Sequence, residues 1–232
     1  MIITEETTVA DIASAEPSSV RVFQRNGIDF CCGGKMPLAH ACQERGVSFA
    51  EISRALEAAA AQPVSDERDW NREPLHTLVD HIVTTYHDPL REELPRLESM
   101  AANVSRVHGA RASQLPRVNA IVTELSADLR AHMCKEEIVL FPAIRSIEAG
   151  VGQHPIAAPI SVMEDEHGHA GAMLAELREI TAGYAVPVWA CATFRALYQG
   201  LVELESQMQM HVHLENNVLF PRALALLGGA RG

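Results

Sequence analysis

The sequence predicts an all-α protein, an antiparallel four-helix bundle preceded by a small N-terminal helical domain. Beyond residue 75 the chain reads as four amphipathic segments of about twenty residues or more, joined by short or moderate connections, as in helical bundles. Strand-like alternation of apolar and polar residues is absent. A hydrophobic content of 47% with only 5% aromatics points to a core of Leu, Ala and Val.

The N-terminal domain is expected over residues 1–62 as short helices. Thr8-Val-Ala-Asp11 has the form of a capping box before a brief helix that Pro17 ends. Ser18 or Ser19 caps a second helix reaching Asn26, with Gly27 as its left-handed stop. Asp29-Phe-Cys31-Cys32-Gly33-Gly34 then reads as a loop with two adjacent thiols. A third segment runs from about Pro37 to Arg45, and Ser48-Phe-Ala-Glu51 opens a fourth as another capping box. Residues 63–74 form the linker, with Trp70 free to dock against something. The bundle occupies 75–232.

Its first segment carries Pro89 and Pro95, which predict kinks or uneven winding. The second begins at Leu115-Pro116. The third spans Ile160 to Ala182, and the fourth starts near Val188.

The formal charge of −11 disfavours wrapping nucleic acid or binding anionic membranes. No signal segment or apolar run of spanning length is seen, so a reducing cytoplasm is expected. Five cysteines without a disulfide-framework spacing agree with that compartment.

The chemistry lies in a repeat. His132-Met-Cys-Lys-Glu136-Glu-Ile-Val-Leu-Phe-Pro142 returns as His211-Val-His-Leu-Glu215-Asn-Asn-Val-Leu-Phe-Pro221, with six of eleven positions identical. A four-residue helical step advances about 6 Å and turns about 40°, so each His and its Glu project from one stripe. His87 precedes His132 by 45 residues, and His167 precedes His211 by 44. Each half therefore supplies a His from one helix and a His/Glu couple from the next. Four imidazoles and two carboxylates suit two metals bridged by carboxylates better than one. Imidazole also suits zinc, copper and nickel, but shared carboxylates argue for iron or manganese and the histidines for iron.

Tyr86-His87-Asp88, His132-Met-Cys-Lys-Glu136-Glu137, Val162-Met-Glu-Asp-Glu-His167 and the second repeat resemble the hemerythrin-like di-iron family. With the Cys-Cys-Gly-Gly loop ahead of them, they are closer still to the RIC (repair of iron centres) family, over nearly the whole chain. The resemblance implies two non-haem iron ions per chain with an oxo or hydroxo bridge. His87, His132, His167 and His211 would be terminal ligands, and Glu136 and Glu215 bridging carboxylates. It further implies a cytoplasmic protein, often a homodimer, that supports repair of iron–sulfur clusters damaged by oxidants or nitric oxide. Nitric oxide or oxygen would be its small ligand, and iron–sulfur proteins its clients. Oxygen-carrying hemerythrins have a further His one turn beyond the third-helix ligand, where this chain has Gly171, leaving a place for exogenous ligand.

Other residues stay open. His213 and His169 lie two positions from ligands, so they face away and read as surface or supporting groups. Glu166 could support a ligand or line a channel, but for Glu166 and Glu137 a solvated face is as reasonable. Cys31 and Cys32 are candidate redox or transfer thiols, soft ligands for iron in transit, or residues of a tight turn. Cys42, Cys134 and Cys191 read as helix residues, and the Leu-Phe-Pro segments as core packing and helix exit. Nitric oxide reduction is an alternative activity, and non-catalytic binding or sensing of oxygen or nitric oxide a third.

Overall fold

The computed structural model describes residues 2–61, 68–152 and 154–229. The chain divides into two compact units: Met1–Leu78 with Gln209–Gly232, and Val79–Met208. Among the described residues there is no strand, only one antiparallel bridge between Thr8 and Pro37.

In the first unit α1 (Val9–Ala15) starts where the capping box predicts, with Thr8 Oγ1 accepting the Asp11 N–H at 3.1 Å. α2 (Ser19–Arg25) stops at Gly27, whose φ of +64° is open to glycine without strain. α3 (Leu38–Arg45) and α4 (Phe49–Ala60) follow. The second capping box does not form: Ser48 makes no side-chain cap bond, and its carbonyl accepts the Glu51 N–H at 3.1 Å instead. Ile12, Phe23, Phe30 and Leu38 are fully buried, with the Phe23 and Phe30 rings stacked at 6.3 Å. The predicted linker falls partly outside the described residues, at 62–67. The main chain at Trp70 is tied down: Arg222 donates to the Trp70 carbonyl at 2.6 Å and to that of Glu73 at 2.7 Å. Arg222 belongs to α11 (Phe220–Gly229), so the end of the chain packs with its beginning.

The second unit holds the four arms of the bundle. α5 (Leu75–Ile82) enters it at Val79 and is followed by a π-helical turn, Val83–His87, and α6 (Asp88–His108). α7 (Leu115–Lys135) passes through a second π turn, Glu136–Leu140, into α8 (Phe141–Glu148). α9 (Ala157–Ile180) is the third arm, and α10 (Ala192–Leu214) supplies the fourth as far as Met208. α7 buries Leu115, Val118, Ile121, Val122, Leu125 and Leu129, a stripe with steps of three and four that packs on α6 and α9. A Cβ on Gly200 would stand 2.8 Å from Leu97 Cδ2, so α6 and α10 approach closely at that position. Cys191 is not a helix residue; it immediately precedes α10, which starts later than Val188.

A third π turn, Glu215–Leu219, precedes α11. Each π turn has a proline two residues beyond its end: Pro89, Pro142 and Pro221. Proline has no N–H for the usual acceptor four residues back, and its ring crowds that carbonyl. One wider turn, closed by an i→i+5 bond from the residue before the proline, relieves both. The Leu-Phe-Pro segments are thus not helix exits, because the chain stays helical through α8 and α11. Pro95 sits inside α6 without such a turn, so uneven winding occurs at the first of the two prolines.

Candidate metal centre

In the second unit the predicted donors come together. His87 ends the first π turn, Glu136 begins the second, His132 lies in the last turn of α7, and His167 projects from mid-α9. None is more than 3% exposed. Glu136 Oε2 is 3.5 Å from His87 Nε2 and 3.3 Å from His132 Nε2, so one carboxylate serves two imidazoles. His132 Nε2 and His167 Nε2 face each other at 3.1 Å. Two donors about 2.1 Å from one ion and about 90° apart would stand about 3.0 Å from each other, so this donor set fits a metal. A core packed for stability alone would not gather three imidazoles around one carboxylate with none of them more than 3% exposed.

Behind the imidazoles stand further carboxylates. His87 Nδ1 bonds Glu137 Oε1 at 2.6 Å, and Arg91 pairs with the same oxygen. His132 Nδ1 bonds Glu166 Oε2 at 2.9 Å, and Lys135 pairs with Glu166. Burial alone would raise both carboxyls, but their bonds to the cation and imidazole outweigh it and hold each below its ordinary value. Both stay ionised and accept the Nδ1 proton, which directs Nε2 inward. The solvated-face reading of Glu137 and Glu166 is therefore corrected. Each serves a histidine on another helix, a pairing that spacing along one helix does not display.

A cleft of about 190 Å³ opens beside this group, lined by Leu129, His132, Lys135, Glu166, His167 and Met173 among others. Water occupies about 30 Å³ in the liquid, so the cleft admits small molecules to the His132–His167 pair. His169 is exposed beside Asp128 at 3.7 Å, as the surface reading expects.

In the first unit His211 and Glu215, both buried, form the second His/Glu couple, with Nε2 3.0 Å from Oε1. His213 is not a surface group. It is 3% exposed, its ring meets Phe30 edge-on at 5.5 Å, and its Nδ1 accepts from Asn217 Nδ2 at 3.0 Å. Burial pushes its pKa down to about 4, opposed by a backbone bond to Phe30, so the ring is neutral. Cys31 is buried and Cys32 exposed. Asp29 caps their loop, accepting the N–H groups of Cys31 at 2.9 Å, Cys32 at 3.0 Å and Gly33 at 2.8 Å. Cys31 Sγ stands 3.8 Å from Cys32 Sγ and 3.3 Å from Asp29 Oδ1. The bond to Cys32, then burial and the Asp29 charge, raise the Cys31 thiol well above its ordinary value.

Family comparison agrees with this geometry. Residues 78–223 match the hemerythrin HHE cation binding domain, and residues 5–60 match a domain of unknown function, DUF542. A protein of Pectobacterium carotovorum subsp. carotovorum named iron-sulfur cluster repair protein YtfE is 42% identical over 219 residues, covering 94% of this chain and 97% of that one. Proteins of the same name from Musicola paradisiaca (42% identical) and Escherichia coli O17:K52:H18 (40%) each cover 94% of this chain and 96% of their own length. The chain belongs to the RIC family. Its fold is accordingly the all-α, hemerythrin-like four-helix bundle preceded by a small helical region. The RIC frame gives the histidines and glutamates of the repeat a cation-binding context. No helix among the described residues is long and apolar enough to cross a membrane.

Proposed function

We propose that this RIC protein holds two iron ions through His87, His132, Glu136, His167, His211 and Glu215, and supports repair of iron–sulfur clusters damaged by oxidative or nitrosative stress. The observation that carries the reading is the buried convergence of His87, His132 and His167 on Glu136. The second His/Glu couple repeats the same phrase, and the cation-binding match spans both copies. The relatives' name supports the repair role. Residues 1–62 form the thiol-bearing domain, 63–74 the linker and 75–232 the metal-binding bundle, which the two family matches support.

When bound, iron in such a shell supplies binding of small diatomics and exchange of iron or nitrosyl groups, with nitric oxide or oxygen as ligand. The chain supplies the rest. Glu137 and Glu166 keep the Nδ1 protons of His87 and His132, so their Nε2 atoms stay directed inward. The cleft beside His132 and His167 admits the small ligand, while the apolar bundle excludes bulk solvent. Cys32, exposed at its loop, is the thiol that meets a client, and Cys31 is the buried, protonated neighbour. We assign the protein to the cytoplasm as a homodimer acting on iron–sulfur clients. Nitric oxide reduction is the second reading, favoured by the cleft at the imidazole pair.

Metal analysis with Mössbauer spectroscopy of wild type and His211→Ala tests the centre. Two irons in a coupled pair, disturbed in the variant, are expected; one zinc per chain, or an unchanged spectrum, would sink the assignment. Restored activity of a damaged cluster enzyme, lost on Cys31/Cys32→Ser, supports repair. Turnover of nitric oxide by reduced protein without any client supports the second reading.

A further inference from the structure

The two copies of the repeat differ on both sides of the shared Glu, and the difference after it has a structural consequence. After the shared Glu, the first copy continues Glu137-Ile138 and the second Asn216-Asn217. Both asparagines reach the Cys-Cys loop. Asn217 Nδ2 donates to the Phe30 carbonyl at 3.1 Å, and its other N–H goes to His213 Nδ1 at 3.0 Å. Asn216 Nδ2 donates to the Cys31 carbonyl at 3.4 Å. The Phe30 ring, fully buried, lies against His213, and α1 packs on the same π turn. That turn begins with Glu215, which pairs with His211. The carbonyls of the two peptides that flank the Cys31 Cα are thus held by the two residues that follow a proposed ligand.

We infer that Asn216 and Asn217 are positioning residues that seat the Cys31–Cys32 loop on the π turn of Glu215, so that metal occupancy at His211/Glu215 and the accessibility of the loop thiols are linked. Successive helix residues share one backbone and are only about 1.5 Å apart along the axis, so a backbone shift that draws Glu215 onto a metal carries Asn216 and Asn217 with it. Asp29 caps the loop, and its Gly33–Gly34 end is tied where Gly34 O accepts the Ala10 N–H at 2.7 Å and Gly33 O the Met36 N–H at 3.1 Å, so the Phe30–Cys31 end is the part that the asparagines seat. Linkage is reciprocal: if iron changes loop opening by some factor, loop modification changes iron affinity by the same factor. The loop is thereby an element through which a client that engages Cys32 draws on the state of the centre.

The linkage rests on the metal reading above, and the test separates the two. Full-length protein is prepared with ferrous iron and stripped with a chelator, and iron is counted in each sample. Iodoacetamide alkylation of Cys31 and Cys32 is followed by peptide mass spectrometry, with Cys191 as internal control. Iron should slow alkylation of the loop thiols by about 5-fold or more, the lower end of typical coupling, and leave Cys191 unchanged. Asn217→Asp, which keeps the side chain's shape but removes both N–H donors, should bring the factor close to 1. A chain that takes up no iron overturns the metal reading and the linkage with it. A chain that takes up iron yet shows no effect in the wild type, or an undiminished effect in the variant, overturns the linkage alone. The reverse measurement needs no variant: wild type alkylated at the loop should hold iron more weakly in equilibrium competition with a chelator, and an unchanged affinity also overturns the linkage.

Discussion

The two copies of the repeat share the same π turn and put it to different uses. In Glu136–Leu140 the residue after the proposed ligand is Glu137, which reaches back to His87 and, with Arg91, holds that imidazole's Nδ1 proton. The next two residues, Ile138 and Val139, are 70% and 56% exposed. In Glu215–Leu219 the same positions are Asn216, Asn217 and Val218; the asparagines hold the thiol loop, and Val218 is buried. One copy spends its outer face on orienting a ligand and the other on anchoring a domain. A duplicated helix phrase therefore preserves the inward donors, which chemistry constrains, while its outward positions follow whatever neighbour each copy has.

The comparison breaks most readily at the inward donors. Glu136→Ala removes the oxygen that meets His87 and His132 together, and iron uptake measured by atomic spectroscopy should be abolished; a full complement of iron would show that Glu136 is no ligand. Next comes the second copy's anchor. Phe30→Ala empties a fully buried ring site beside Phe23 and His213 and should cost about 3–5 kcal/mol in denaturant unfolding. A loss under about 1 kcal/mol would mean the loop is not seated as described.

Smaller effects separate the outward roles. Glu137→Gln removes the charge behind His87 and should weaken iron binding about 10- to 100-fold in chelator competition. The same change at Glu166 should act alike through His132, and an unchanged affinity in both would return the two carboxylates to ordinary surface groups. Smallest of all, Ile138→Asn writes the second copy's residue into the first. With Ile138 exposed and no loop to hold, thermal stability should change by no more than about 0.5 kcal/mol.

Cysteine chemistry should follow the same division. Cys32 is exposed, whereas Cys31 is buried with its thiol raised by Cys32 and by burial. At neutral pH, alkylation of the folded chain should reach Cys32 first, and Cys31 should gain as pH rises. Equal rates at neutral pH would contradict the placement of the pair.

Much of this was legible before the structure. A four-residue step fixes a His and a Glu on one helical stripe whatever surrounds them, so His132/Glu136 and His211/Glu215 could be paired from spacing alone. Thr8 capping Asp11 and the glycine stop at Gly27 are equally local. Ser48 shows the limit of such rules, since its sequence signature matches Thr8 and its side chain caps nothing.

The helical class, the repeat and the pairing of each His with its Glu were therefore legible in the sequence, because all three rest on spacing along the chain. Only the tertiary structure decided the rest. Pro89 announced uneven winding, whereas Pro142 and Pro221 read as helix exits; that all three are absorbed as π turns inside continuous helices depends on packing that keeps both sides helical. Glu137 reaching His87, Glu166 reaching His132, and His213 buried against Phe30 are contacts between segments far apart in the chain. No spacing rule encodes them, since the distance between two helices is set by every side chain that packs between them.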